Sequence, residues 1–88
     1  MTSRTASSFW KKFHQLPLPI QQLARKNYEL WLGNFRHSSV RFKPVAGRQY
    51  SARVGAHYRA LGYFSGPNEF TWTWIGTHAE YDLSLIHI

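Results

Sequence analysis

The sequence predicts a single α+β domain, in which an N-terminal helical hairpin packs on a curved, antiparallel sheet of three or four strands. Apolar residues recur at helical spacing up to residue 31, and after His37 the period changes to two. The length of 88 residues is enough for one small core and agrees with one domain. No repeat, low-complexity segment or linker divides the chain.

The helical hairpin is predicted from two amphipathic segments separated by prolines. In "SSFWKKFHQL", Phe9, Phe13 and Leu16 form one stripe, and Ser7 or Ser8 is a candidate N-cap. The following "LPLP" ends this helix, because proline cannot continue it, but proline suits the first turn of the next one. The second helix, "PIQQLARKNYELWLGN", is expected to end at its glycine and asparagine.

Alternation of apolar and polar residues predicts the strands. The candidates are "SVRFKPV", "YSARV", "YRALGYF" and "FTWTWIG", and "SGPNE" between the last two has the composition of a hairpin loop. In the last strand Phe70, Trp72 and Trp74 are predicted to share one face. Strands that follow one another with short connections pair antiparallel.

The charge of the chain narrows the classes of partner. Eleven Lys and Arg residues stand against four acids, a formal net charge of +7, which predicts contact with nucleic acid, an acidic protein or an anionic membrane surface. There is no cysteine, so disulfides and thiolate chemistry are excluded. The N-terminus has no apolar signal region and no stretch approaches a membrane span, so a cytoplasmic protein without membrane contact is expected.

The positive charge is concentrated in the predicted sheet. No acid occurs between Leu30 and Asn68, an interval that holds the following basic side chains: Arg36, His37, Arg41, Lys43, Arg48, Arg53, His57 and Arg59. Alternation puts Arg53 and Arg59 on one side of adjacent strands, where like charges are unfavourable. This arrangement predicts that the two arginines bind a phosphate, for which arginine is well suited. The alternative is that both are solvated and point apart.

Four stretches resemble the RelE/ParE superfamily of toxins from bacterial type II toxin–antitoxin systems. They are "FWKKFHQLPLPIQQLARKNYELW", "RHSSVRFKPV", "YSARVGAHYRALGYF" and "FTWTWIGTHAEYD", in the family's order, from about Phe9 to Asp82. The most specific parts are "RVGAHYRALG", which is similar to a family strand with a GxYRxL core, and "WIGTHAEYD". The resemblance implies the same helical hairpin on a curved sheet. Relatives begin with a strand, which here is short or absent because only "TSRTA" remains for it.

The resemblance implies two activities. RelE-like toxins cleave messenger RNA in the ribosomal A site without a metal, whereas ParE-like toxins inhibit DNA gyrase, and both are silenced by a cognate antitoxin. The expected function is therefore that of a ribosome-dependent mRNA endonuclease without cofactors. The alternatives are a gyrase inhibitor without nuclease activity, and a non-catalytic module that binds RNA or the ribosome and exposes aromatic side chains on its sheet.

The resemblance also suggests which residues carry the chemistry. Arg59 matches the arginine that steadies the phosphate, and Arg53 matches a nearby cationic position. Lys43 lies where RelE-like toxins keep lysines, and His78 lies where relatives carry an acid–base side chain. Further contacts to phosphate or RNA are expected from Arg41, Arg48, His57 and Tyr81, of which Tyr81 is close to a position where an aromatic stacks on a base.

Each of these residues has a plainer interpretation. Arg59 could serve only to bind the antitoxin, and Lys43 could be an ordinary charge on an edge strand. His78 could end the last strand, and a lone histidine is more often structural than catalytic. Glu80 could orient His78 or merely offset the net charge. The five histidines have no metal-ligand spacing, so no metal site is predicted.

The last six residues, "LSLIHI", form a segment that we expect to be foreign to the domain. Their reverse translation, CTG TCT CTT ATA CAC ATC, reads as the transposon-end adapter of sequencing libraries. We therefore assign the toxin-like domain to residues 1–82 and interpret residues 83–88 as a non-native tail.

Overall fold

The computed structural model of the protein describes residues 2–86, with side chains through residue 82. It is an α+β fold, and the predicted N-terminal helical hairpin is confirmed. In chain order the elements are β1 (Thr2–Thr5), α1 (Ser7–Phe13), α2 (Leu18–Gly33), β2 (Lys43–Pro44), β3 (Gln49–Val54), β4 (Tyr58–Gly66), β5 (Glu69–Thr77) and α3 (His78–Ile86).

The five strands form one mixed sheet, which curls only slightly, in the order β1-β5-β4-β3-β2. The four strands β2 to β5 are antiparallel, as predicted. The fifth strand of the sheet is β1, which runs parallel to β5 and pairs Thr2 with Glu69 and Thr5 with Trp72. The expected first strand is therefore present but short, with four residues.

The candidate strand "SVRFKPV" is reduced to Lys43–Pro44. Just before it, Arg41 has a φ of 48°, in the left-handed region that interrupts an extended strand. The backbone nevertheless stays at the sheet, because the amide N of Arg53 donates to the carbonyl O of Val40 at 2.6 Å. Arg41 is thus fixed beside β3 although it belongs to no strand.

The second helix ends as predicted, whereas α1 stops at Phe13, before the predicted Leu16, and is not capped as predicted. The N-cap residue of α1 is Ala6, which has no side-chain hydrogen bond. Ser8 instead donates from its Oγ to the carbonyl O of Thr73 at 2.8 Å, so this hydroxyl attaches α1 to β5. The second helix has a proline in its first turn and stops at Gly33.

The core lies between the helical hairpin and one face of the sheet. Trp31 of α2 and Phe70 of β5 are at its centre, with exposed fractions of 1% and 0% and ring centroids 5.3 Å apart. Asn27, also buried on α2, donates from Nδ2 to the carbonyl O of Arg53 at 3.1 Å. This bond pairs a buried polar group and fixes β3 at Arg53.

A β-bulge in β5 changes which aromatic residues share a face. Leu61 lies opposite Trp74 and Gly62 opposite Trp72, so Thr73 is one extra residue on β5. Because an extra residue reverses the alternation, Trp72 points into the core and Trp74 points to the other face. The prediction that both tryptophans share a face with Phe70 is therefore wrong for Trp74.

No helix in the part of the chain that the structure describes is long and apolar enough to cross a membrane.

Candidate phosphate-binding face

The face of β3, β4 and β5 that points away from the helical hairpin carries Arg53, Arg59, Leu61 and Trp74, and we call it the arginine face. Arg53 is directly opposite Arg59 in the register of β3 and β4, as alternation predicted. The next pair, Ala52 and Ala60, points into the core, so the two arginines point away from it. Both arginines are half-buried.

Backbone carbonyls, and no carboxylate, hold the two guanidinium groups. Arg53 donates from Nε to the carbonyl O of Gly55 at 2.9 Å, and Arg59 donates from Nη1 to the carbonyl O of Tyr58 at 3.0 Å. Neither forms an ion pair with a described acid. Each guanidinium has roughly five N–H donors, so most of them stay available to an anion.

Gly55 shapes the turn that joins the two arginine strands. Its φ is 65°, a value that glycine adopts without strain, and a Cβ at this position would lie 2.7 Å from Cδ2 of Leu23. The turn can therefore approach α2 closely only with glycine. Its carbonyl then accepts the Nε–H of Arg53, so the turn also orients that guanidinium.

Trp74 is a functional candidate that the sequence analysis placed on one face with Phe70 and Trp72. Its ring lies over Gly76, where a Cβ would be 2.6 Å from Cζ2 of Trp74. Gly76 is the direct partner of Arg59 on β5, so the half-buried indole lies next to the paired arginines. The glycine two residues after the tryptophan is the sequence signal that could have found this contact.

His78 and His57 meet at the same end of the sheet as the arginine pair. The amide N of His78 donates to the carbonyl O of His57 at 2.7 Å, and His57 belongs to the turn between β3 and β4. The imidazole Nδ1 of His78 lies 3.4 Å from Oδ2 of Asp82, one helical turn further along. Both side chains are about half exposed. The backbone of His78 is therefore fixed at the turn that joins the two arginine strands, and its imidazole has a carboxylate beside it.

The ring of Tyr81 packs against the imidazole of His78. Its exposed fraction is 7%, and its ring centroid is 5.7 Å from that of His78. The ring supports the histidine and is largely closed to a base that approaches from solvent. The same carboxyl-terminal helix thus carries His78 and the tyrosine that supports its ring.

A capping box at the start of α3 fixes where His78 stands. The amide N of Glu80 donates to Oγ1 of Thr77 at 3.2 Å, and Oε1 of Glu80 accepts the amide N–H of Thr77 at 3.1 Å. Hydrogen bonds from the backbone and hydroxyl of Thr77, together with the charge of Lys12, lower the pKa of the Glu80 carboxyl. Glu80 thus caps the helix, and Asp82 is the acid beside His78.

Lys43 and Arg41 extend the positive charge along β3. Lys43 pairs with Ser51, which is two residues from Arg53 and therefore on the same face, about 7 Å further along the strand. Arg41 is exposed and directly follows Val40, whose carbonyl accepts the backbone hydrogen bond from Arg53. Lys43 thus shares the face of the arginine pair, and Arg41 adds an exposed cation beside β3.

Arg48 is separate from this group. It lies in the loop between β2 and β3, five residues before Arg53, about 17 Å along an extended strand. A polynucleotide is long enough to contact both positions, whereas a single phosphate is not. Among the described residues, no three His, Asp or Glu side chains come together as metal ligands.

No family model and no curated protein matches the chain, but solved structures do. The YoeB/ParE toxin from Agrobacterium tumefaciens has a TM-score of 0.70 at 14% identity, covering 89% of this chain and 99% of that chain. A chain of the RelB–RelE antitoxin–toxin complex from Methanococcus jannaschii has a TM-score of 0.70 at 19% identity. The match covers 91% of this chain and 96% of that chain. A chain of the toxin–antitoxin complex RelBE2 from Mycobacterium tuberculosis has a TM-score of 0.65 at 20% identity. The match covers 88% of this chain and 96% of that chain.

These similarities span nearly the whole of each chain. The protein has the fold of the RelE/ParE toxins, and the resemblance predicted from the sequence is confirmed at the level of the fold.

Proposed function

We propose that this protein is the toxin of a type II toxin–antitoxin system and acts as a ribosome-dependent mRNA endonuclease in the cytoplasm. The observation that carries the proposal is the pair Arg53 and Arg59, opposite each other on a half-buried face and held by carbonyls without a carboxylate. Such a pair destabilises the free protein and is relieved by a bound phosphate.

The proposed reaction is attack of a ribose 2′-OH on the adjacent phosphate, with departure of the 5′-oxygen. A base removes the proton from the 2′-OH, cations stabilise the charged phosphorane, and an acid protonates the leaving oxygen. Arg59 and Arg53 supply the positive charge with N–H groups that are not engaged by acids. This electrostatic contribution is the largest one that the face offers.

His78 and Lys43 are the proposed proton carriers. His78 is at the turn end of the arginine pair, and Lys43 is on the other side of Arg53 along the strand. In this proposal, the phosphate bound by the arginines is flanked by the imidazole of His78 and the ammonium group of Lys43. Imidazole is the side chain best suited to exchange protons near neutral pH.

Trp74 is proposed as the platform for a base next to the reacting phosphate. Its indole is half-buried on the arginine face, beside the glycine that pairs with Arg59. Base–aromatic stacking contributes about 1–3 kcal/mol per base. Arg41, Arg48 and His57 would contact phosphates further along the RNA, whereas the buried Tyr81 supports His78.

A cognate antitoxin is the proposed protein partner. Two of the similar structures are described as antitoxin–toxin complexes. The net charge of +7 favours an acidic partner, and an antitoxin that covers the arginine face would neutralise the uncompensated guanidinium groups.

The test adds the purified chain to a cell-free translation reaction and maps messenger ends by primer extension, with and without ribosomes. We expect ribosome-dependent cuts in register with the A site that are lost in Arg59→Ala and kept in the matched control Lys26→Ala, an exposed cation on α2. The same assay is repeated on a version whose residues 83–88 are replaced by those that an independent genomic clone encodes.

Intact messenger in both versions would contradict the nuclease proposal. A supercoiling assay with DNA gyrase then tests the alternative activity, in which the arginines would bind a protein surface. Ribosome binding without cleavage would instead point to a non-catalytic RNA-binding module that uses Trp74.

A further inference from the structure

A cavity lies between the helical hairpin and the core face of the sheet. Its volume is about 260 Å³, and its surface is mostly apolar. An apolar cavity of about 150 Å³ holds a benzene molecule, so this one has room for a larger ring. It is open to solvent on one side, between β1 and the two helices.

Small side chains account for the space. Ala52 and Ala60 are cross-strand partners at the centre of the sheet, and Ala24 faces them from α2. All three are buried and line the cavity. The surrounding wall is aromatic, with Phe9 and Phe13 from α1 completing it. Alanine at three facing core positions leaves a volume that larger aliphatic residues would have filled.

Polar groups of the same wall lack partners. The indole Nε1 atoms of Trp31 and Trp72 and the Oγ of Ser3 are buried and have no hydrogen-bond partner among the described residues. Most buried polar groups in proteins are paired, and unpaired ones are costly. All three groups can donate to an oxygen acceptor, so a bound molecule with such an acceptor supplies what the wall lacks.

The opening of the cavity is cationic. Arg25 and Arg4 line it, and no acid does. Arg4 pairs with Glu69, whereas Arg25 has no ion-pair partner among the described acids and its guanidinium lies 5.2 Å from the ring centroid of Phe13. An anionic group at the opening would therefore meet one uncompensated guanidinium.

We propose that this cavity binds a small aromatic monoanion, with its ring among the aromatic side chains and its carboxylate at Arg25. The ligand is a free small molecule of one or two rings. Of the residues of the arginine face, Arg53 alone also borders the cavity, and its Nε is engaged by the carbonyl O of Gly55. Binding of a ligand here can be measured without any nuclease assay.

Naphthoate is the probe for the test, and the four indole N–H signals of the intact chain are the readout in proton–nitrogen NMR spectra. Trp10, Trp31 and Trp72 line the cavity and Trp74 does not, so Trp74 is an internal reference. We expect naphthoate to shift the Trp31 and Trp72 signals and leave the Trp74 signal in place. At about 100 times its Kd, naphthoate should raise Tm by about 10–20 °C.

Variants and a second probe separate the cavity from non-specific binding. Ala60→Leu, or Ala24→Leu if the first does not fold, fills the cavity and should abolish the shifts, whereas Ala79→Leu at an exposed alanine should not. Naphthylmethylamine has the same ring system and the opposite charge, so it should bind more weakly. Arg25→Gln should weaken naphthoate binding about two- to fivefold, and the adjacent Lys26→Gln should not.

Two results would overturn the proposal. One is that the Trp31 and Trp72 signals do not move at millimolar naphthoate, which would mean that the cavity holds only water. The other is that they move equally in Ala60→Leu and Ala24→Leu, which would mean that the probe binds elsewhere.

Discussion

The repulsion between Arg53 and Arg59 predicts that Arg59→Gln makes the protein more stable while it removes the proposed activity. The two arginines are direct cross-strand partners, and like charges in this arrangement cost about 0.2–1 kcal/mol. Coulomb's law in water gives a repulsion of about 0.5 kcal/mol for two unit charges roughly 8 Å apart, which lies within this range. For a domain of this size the corresponding rise in Tm is about 2–4 °C.

Thermal unfolding of five proteins measures this effect: the parent, Arg59→Gln, Arg53→Gln, the double variant and the control Lys26→Gln. Either single substitution removes the repulsion, so we expect the second to add nothing to the first. The gain should disappear at about 1 M salt, where the Debye length is about 3 Å. A lower Tm for both single variants at every salt concentration, or gains that add and ignore salt, would refute the reasoning.

Four further predictions concern the elements that support this face. Thr77→Ala removes the capping box and should lower the free energy of unfolding by about 1 kcal/mol in denaturant titrations, and an unchanged midpoint would contradict the cap. The pKa of Glu80 is lowered from its usual 4.5, so the ionised carboxylate stabilises the fold above pH 4.5, and this stabilisation is lost as pH falls through the lower pKa of the folded protein. The difference in unfolding free energy between the parent and Glu80→Gln should therefore shrink below about pH 4.5, as measured by denaturant titrations at several pH values. Gly76→Ala should cost about 1–3 kcal/mol and change Trp74 fluorescence, because the new Cβ overlaps the indole, and an unperturbed spectrum would argue against this contact. Arg41→Gly and Arg41→Ala remove the same charge, but the glycine variant should be about 1 kcal/mol more stable because φ is 48°; equal stability would mean that the backbone is unstrained.

The arginine pair could be predicted from the sequence because a short hairpin has little freedom of register. Alternation in "YSARV" and "YRALGYF" puts Ala52, Val54 and Ala60 toward the core, and a shift of one residue would expose all of them. The positions of Arg53 and Arg59 follow from this constraint. The helical hairpin was predictable for a similar reason, since the prolines and the apolar stripe both mark its limits.

Features that depend on distant contacts could not be predicted. The strand Thr2–Thr5 has no apolar alternation, and it is ordered by pairing with β5 more than 60 residues away. The face of Trp74 was mistaken because the bulge at Thr73 depends on the partner strand β4. The acid beside His78 was sought at Glu80, but the capping box engages that carboxylate and brings Asp82 to the histidine.

The most direct test of the central claim is to identify the end groups of messenger cleaved by the full chain on ribosomes. Attack by the 2′-OH between an arginine pair and an imidazole predicts a 2′,3′-cyclic phosphate on one fragment and a 5′-hydroxyl on the other. Both products should disappear in Arg59→Ala and His78→Ala. Fragments with a 5′-phosphate and a 3′-hydroxyl, or uncut messenger on ribosomes that carry the protein, would contradict it.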